Sequence, residues 1–390
     1  MGTGIGFLNH RRCVTLLYFQ STDELLKKRM IKHSIMKKII AIITVTFLCT
    51  FSQAQTAADS LLNFIAKNKN RSSVYLVEND TIIAHLNENK LMPLASTVKI
   101  MVAIEFAKQA AAKVINQNNY VPLTALEKYY LPNTDGGAHP RWLGYEKSNG
   151  HLQNDSIKLI DVARGMIIFS SNANTEFLMD LLGFDNVKNN IQLFGLKQHT
   201  PIYPLVASLF MFQNPKKKSE ESILKGISRL SAEQYSRYSF DMHNALKYDT
   251  VLKSKFRPQD LSLKMQKAWS DRLPASTTKE YVHIIQVLNN RKYFDENTYT
   301  ILAKVLETVM ENPANRQWLA HAGSKGGSTI WVLTKALYAT TKTGKKIEMA
   351  YFFNDLAPTE NMQLQQWMNA FELGVLSNAA FRKKITTAFN

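Results

Sequence analysis

Ser96-Thr97-Val98-Lys99 sets a hydroxyl and an amine three residues apart. On a helix, side chains at that spacing share a face, with Cβ atoms about 5–6 Å apart. A lysine held there and partly desolvated has a lowered pKa and can take the serine proton. A serine at a helix N-terminus also sits where backbone N–H groups favour a developing oxyanion. The spacing alone selects nothing, because Ser34/Lys37, Ser222/Lys225 and Ser276/Lys279 repeat it. Only Ser96 leads into a run, Ile100 to Ala107, that is apolar all round except Glu105. That run predicts a buried helix to about residue 115, the setting in which a lysine is perturbed.

Two further groups offer chemistry. Ser170-Ser171-Asn172 lies between two apolar helical stretches. Ser170 could shuttle a proton and Asn172 could hold a substrate amide; helix capping is the ordinary use of such residues, and by themselves they favour it. Ser324-Lys325-Gly326-Gly327-Ser328 precedes the last strand-like runs. On an edge strand, Lys325 offers a cation for a substrate carboxylate, the two glycines permit close backbone approach, and the Ser328 N–H could be a second oxyanion donor. A bare glycine-rich turn is the alternative. Lys342-Thr343-Gly344 looks similar but falls in a hairpin turn, too late for two more strands to follow. There is no H-E-x-x-H, G-x-S-x-G or Walker loop, so zincin, α/β-hydrolase and P-loop chemistry have no entry point.

S-x-x-K, S-x-N and K-x-G in that order resemble the motif set of class A β-lactamases and penicillin-binding proteins. Pro93 to Lys99 and Leu159 to Thr175 resemble that family around the first two motifs. The likeness covers roughly residues 56–115, 155–205 and 275–373, with insertions near 117–153 and 208–270 outside it. It implies Ser96 as acylated nucleophile, Lys99 as its activator and Ser170 as proton relay. It also implies Asn172 as a substrate-amide ligand, Lys325 as the carboxylate site, and an oxyanion hole from the N–H groups of Ser96 and Ser328 beside Gly327. It departs at one point. Class A enzymes carry a deacylating glutamate in an E-P-x-x-N stretch, whereas the matching segment here reads Tyr203-Pro204-Leu205-Val206-Ala207. Glu220 or Glu221 could substitute only if their loop folds back, and Lys216-Lys217-Lys218 beside them reads as a solvated charge run. The 117–153 insertion falls at the family's active-site mouth, so Asp135, His139 and Trp142 are expected near substrate.

The elements that must position these residues follow from periodicity. Residues 56–67 read as a helix. Residues 74–78 and 81–86 read as a hairpin through Asn79-Asp80. Residues 117–153 look loop-rich, and a helix capped by Asp155 or Ser156 is expected to Phe169. A short helix ends at Gly183 and another runs from Asp185 to about Phe194. Residues 200–275 are polar and give no clear period. A helix capped by Ser276 or Thr277 and another from Asp295 to Glu311 follow. Strands are expected over 330–339 and 347–353, then a helix over 359–373. Strands at both ends with helices between predict an α+β fold of β-lactamase/transpeptidase type: an antiparallel sheet of N- and C-terminal strands packed on helices, plus an all-helical lobe. No repeat is found.

The chain's 390 residues carry a net charge of +17, which invites a nucleic-acid reading. Part of that charge belongs to a leader. Met36-Lys37-Lys38, the apolar run Ile39 to Phe51, and Ser52-Gln53-Ala54 have the order of a secretory signal peptide cut after Ala54. The apolar run is shorter than the ~20 residues a span needs. Residues 1–35 are then a non-native extension, and residues 55–390 form one catalytic domain with two insertions. Cys49 is in principle a lipoprotein cysteine, but Phe47 and Leu48 before it are bulkier than such a site usually tolerates, which argues against it. Both cysteines, Cys13 and Cys49, lie in the leader, which excludes a thiol nucleophile or Cys-held metal in the mature chain. Removing the leader leaves +11, spread over loops and insertions. The expectations are an exported, periplasmic or secreted monomer with no cofactor, no metal, no nucleic-acid partner and no membrane span. Its substrate is a β-lactam, or alternatively a peptidoglycan D-Ala-D-Ala peptide or another ester or amide. A non-catalytic cell-wall module is the third reading.

Overall fold

The computed structural model describes residues 55–213 and 219–389. The leader and Lys216 to Lys218 lie outside them. The chain divides at Ser60/Leu61 into two units, and of the first only the helical residues 55–60 are described. The second, Leu61–Asn390, holds every strand found among the described residues.

Five strands form one antiparallel sheet: β1 (Ser72–Glu78), β2 (Thr81–Leu86), β3 (Leu319–Ser328), β4 (Leu333–Thr341) and β5 (Lys346–Phe353), in the order β2-β1-β5-β4-β3. The two ends of the chain meet where Ser72–Glu78 pairs with Phe353–Ile347. Asn79 and Asp80, both at positive φ, make the tight β1–β2 turn. Lys342-Thr343-Gly344 turns between β4 and β5. Periodicity shows two C-terminal strands, and the Lys325 segment is expected on an edge strand before them. The third, β3, contains Lys325 in its interior, and its Gly-rich, His- and Lys-bearing composition hides a strand pattern.

Around the sheet and between its strands lie the main helices: α1 (Lys99–Ala111), α2 (Ala138–Ser148), α3 (Leu159–Ile168), α4 (Asn172–Leu182), α5 (Phe184–Leu193), α6 (Leu205–Phe210), α7 (Glu220–Ser228), α8 (Ala232–Tyr248), α9 (Leu263–Arg272) and α10 (Thr278–Asn290). Then come α11 (Glu296–Leu306) and α12 (Pro358–Ser377). Period-two alternation on β5 shows how the sheet is covered on both faces. Phe352 meets Tyr281 of α10, while Tyr351 meets Phe371 of α12. On the α10 side, Ile100, Met101, Val102, Ala103, Ile104, Phe106 and Ala107 of α1 are all buried, so α1 is the axis of the helical lobe. It stops at Ala111, a turn sooner than its apolar pattern suggests.

Both insertions are more ordered than they read. Residues 117–153 contain a strand pairing Tyr120–Pro122 with Ser156–Lys158, and they contain α2. Pro140 lies in the first turn of α2, where its missing N–H costs nothing. Ser156 is therefore strand, and α3 starts at Leu159. Residues 205–272 form a run of helices around their own core of Phe210, Phe212, Ile227, Tyr235 and Met265. Their N-caps, Ser219, Ser231, Asp249 and Ser262, are frequent enough to break any long period, which is why the sequence pattern is illegible there.

One buried charge tests the sheet–helix seam. Glu348 on β5 is fully buried, hydrogen-bonded by Asn289 of α10, with Oε2 unpartnered. Burial pushes its carboxyl up to about 7. Its folded pKa exceeds the unfolded value, so its favourable contribution is present at low pH and lost as pH rises through about 7. Glu348→Gln is expected to be more stable than wild type at pH 8 and no more stable at pH 4.5, read by urea midpoints. Equal midpoint shifts at both pH values would contradict this.

Candidate active site

Ser96 sits in a 3-10 turn, Ala95–Val98, that feeds directly into α1. The turn is pinned from below. Thr97 Oγ1 lies 2.8 Å from Thr334 Oγ1 of β4, and Thr334 Oγ1 donates to Leu94 O at 2.8 Å. Gly327 of β3 approaches so closely that a Cβ there would lie 2.4 Å from Ser96 N and 2.6 Å from Leu94 O. Two non-glycine residues at positive φ, Ala95 (45°) and Ser170 (66°), stand in the site, and strain of this kind persists only where the surroundings impose it.

Lys99 is fully buried. Its Nζ donates to Ser170 O at 2.7 Å, Ser170 Oγ at 3.2 Å and Asn172 Oδ1 at 2.8 Å. Lys325 is also buried and donates from Nζ to Ser170 Oγ at 3.1 Å and Gly326 O at 2.8 Å. One hydroxyl thus joins two amines that come from positions 226 residues apart in sequence. Burial drives the Lys99 pKa well down, and the nearby Lys325 charge lowers it further; Asp135 and Glu176 oppose the shift. Burial, with a smaller push from Lys335, brings Lys325 down to about 7.

Ser96, Ser170, Asn172, Lys325, Gly327 and Ser328 line one pocket of about 610 Å³, with Lys99 beneath it. The two readings of Ser170-Ser171-Asn172 divide between residues. Ser171 is buried and caps α4 by accepting from Asn174 N, while its neighbours face the pocket. Of the mouth residues, Asp135 lines the pocket. His139 and Trp142 do not. They lie on the inner face of α2, with His139 Nδ1 2.9 Å from Ser171 Oγ and Trp142 Nε1 donating to Glu146. Both aromatic rings are worth more buried than at a wet mouth.

The Tyr203 segment also differs from expectation. Tyr203 is buried, turned inward, and donates to Arg272 O. Leu205, two residues on, forms the pocket wall with Leu273 and Trp269. Glu220 and Glu221 start α7 and do not line the pocket. Arg141, Gln266, Trp269, Gln365 and Asn369 line it without any sequence signal. Glu176 belongs to no motif either. It is buried, accepts from Val206 N at 2.7 Å and faces His243 Nδ1 at 3.0 Å, so it anchors the start of α6. Its place four residues after Asn172, one turn along the same helix face, is the available clue. Among the described residues no group of three His, Cys, Asp or Glu could hold a metal ion.

A family model described as the Beta-lactamase enzyme family matches residues 56–313, two thirds of the chain. The chain belongs to the β-lactamase enzyme family. That match spans Ser96, Lys99, Ser170 and Asn172 and ends before β3, so Lys325 enters the site by the fold alone. Among solved structures, a class A β-lactamase from Bacteroides cellulosilyticus is similar at 15% identity and TM-score 0.46, covering 83% of this chain and 98% of its own. A β-lactamase from Chitinophaga pinensis gives 15% and 0.47, over 85% and 97%. PBP-A, as a variant in acyl-enzyme complex with penicillin G, gives 12% and 0.47, over 82% and 96%. No curated protein matches the chain.

Two outcomes test this geometry. Gly327→Ala must push backbone against backbone, and it is expected to cost about 1–3 kcal/mol of stability, measured by urea unfolding; a wild-type midpoint would contradict the close approach. Lys325 has a folded pKa of about 7 against 10.5 unfolded, so the unfolded state binds more protons between those values. Stability should therefore rise with pH across that window, and Lys325→Met should flatten part of the rise. An unchanged slope would show that Lys325 is not desolvated.

Proposed function

We propose that this β-lactamase-family chain is an exported serine hydrolase that forms an acyl-enzyme on Ser96 with β-lactams. The observation that carries the reading is the pair of buried lysines meeting at Ser170 Oγ beneath a half-buried Ser96. In this reading Lys99, its pKa driven down by burial, takes the Ser96 proton as Oγ attacks the carbonyl carbon. The N–H groups of Ser96 and Ser328 receive the oxyanion. The tetrahedral intermediate collapses, the C–N bond breaks, and Ser170 passes a proton to the leaving nitrogen while Lys99 replenishes it. Lys325 attracts the substrate carboxylate and Asn172 orients its amide. The leader supports export, and no described helix is long and apolar enough to cross a membrane.

Hydrolysis of the acyl-enzyme is the slow step in this proposal. Asp135 is the only carboxylate among the described residues lining the pocket, and its two oxygens accept from Ala138 N and His139 N at 3.0 Å each. The wall opposite carries Leu205, Leu273 and Trp269, none of which can activate water. This favours a penicillin-binding type of behaviour, with carboxylate-ended peptide amides as the alternative substrates.

A fluorescent penicillin should label the protein, and a chromogenic cephalosporin should give a burst of about one equivalent followed by slow turnover. Ser96→Ala should abolish both. Labelling that survives Ser96→Ala would remove the nucleophile assignment, and rapid steady turnover without a burst would remove the slow-deacylation reading.

A further inference from the structure

A second cavity, of about 770 Å³, adjoins the pocket and shares Ile330 and Trp331 with it. Its other walls come from the helical insertion: Leu224 and Ile227 of α7, and Leu263 and Ala268 of α9. Leu263 is 65% exposed and Ile330 37% exposed, so the groove presents apolar side chains to water.

Two of the groove's three cations are engaged. Lys267 pairs with Asp271 at 2.5 Å and Asp355 at 2.8 Å. Arg272 donates to the carbonyls of Ile227, Ser228 and Leu230. Lys264 stands exposed at the edge. With Asp271 also in the lining and a single cation left over, the groove's apolar walls suit an apolar chain.

The divider between the two cavities is held by hydrogen bonds. Asn361 Nδ2 of α12 donates to Thr329 O, Ile330 O and Val332 O, and Ser270 Oγ lies 2.6 Å from Thr329 Oγ1. Order along the chain then gives direction. Lys325, the carboxylate site, comes first, Ser328 at the reactive carbonyl follows, and Ile330 and Trp331 lie beyond. A substrate laid along β3 with its carboxylate at Lys325 and its carbonyl at Ser96 leads its acyl side past Ile330 into the groove.

We propose that this groove binds an apolar acyl chain carried on the acyl side of the substrate. The direction assigned to the substrate rests on the proposed acylation of Ser96; the apolar groove itself does not. Penicillins bearing acetyl, hexanoyl and decanoyl side chains on the ring amine are the probes, used with the full chain. Burial of methylene groups predicts a gain of about twofold or more per methylene, so decanoyl should acylate at least tenfold faster (kcat/KM) than acetyl. Leu263→Asp should cut that ratio below threefold, and Leu263→Met should retain it.

Binding of the same series, followed by tryptophan fluorescence, separates the two failures. A Kd that falls with chain length supports the groove even if no acyl-enzyme forms, and the missing acylation then strikes Ser96 alone. Equal Kd values for acetyl and decanoyl, or a chain-length dependence untouched by Leu263→Asp, overturn the proposal. A groove covered by a second copy of the chain would show as dimer on size exclusion with no chain-length dependence, and this too overturns it.

Discussion

Two amines buried beside one hydroxyl are the constraint on which the rest depends. Lys99 and Lys325 each donate to Ser170 Oγ, and neither has a carboxylate within hydrogen-bond reach among the contacts that hold them. Both amines are removed from water, and each raises the cost of charging the other. The fold must therefore hold an arrangement that, left to itself, would separate. It does so with neutral acceptors: two backbone carbonyls, a side-chain amide and the shared hydroxyl. These keep the amines close while leaving at least one of them free to be neutral near ordinary pH.

That requirement explains the topology. Lys99 is desolvated because α1 is the axis of the helical lobe, and a lysine at the first turn of a helix buried from Ile100 to Ala107 is cut off from solvent. Lys325 reaches it from a strand formed near the other end of the chain. The sheet closes the distance, since β1 pairs with β5 and β3 lies two strands further on. Gly327 completes the join. Any side chain there would meet Ser96 N and Leu94 O, so the strand's lack of bulk is what lets the nucleophile turn and β3 share one surface.

Legibility in the sequence follows the same physics. Ser96 and Lys99 can be read because a polar pair opening a long apolar run is an unusual juxtaposition. The β1–β2 hairpin can be read because Asn79-Asp80 supplies the positive φ that the turn requires. Lys325 and its edge strand are legible as a motif, whereas the strand's full extent is not, because glycine and lysine carry no period-two signal. The helical insertion is illegible for a different reason. Its helices, among them the 17-residue α8, are capped by serine or aspartate and pack on a satellite core, and polar residues such as Ser236, Ser239 and His243 on the buried face of α8 mask the apolar period. His139 and Trp142 mislead because the position of their insertion at the mouth does not say which of its residues face inward. Their partners, Ser171 and Glu146, are themselves buried, and only three-dimensional neighbours reveal that.

The insertion also determines what kind of wall faces the nucleophile. Glu176 carries the charge that a deacylating carboxylate would need, and it sits one turn beyond Asn172. Its oxygens are committed, however, to the N–H groups that open α6 and to His243 of the insertion. Freeing that carboxylate would expose buried N–H groups and unseat Leu205, whose carbonyl in turn accepts from Trp269 Nε1 at 3.1 Å. Unsatisfied buried donors of this kind cost about 1–3 kcal/mol each. The same contacts that give the pocket its apolar wall therefore hold the nearest buried glutamate out of the chemistry, and the proposed slow release of an acyl group follows from how the insertion is anchored.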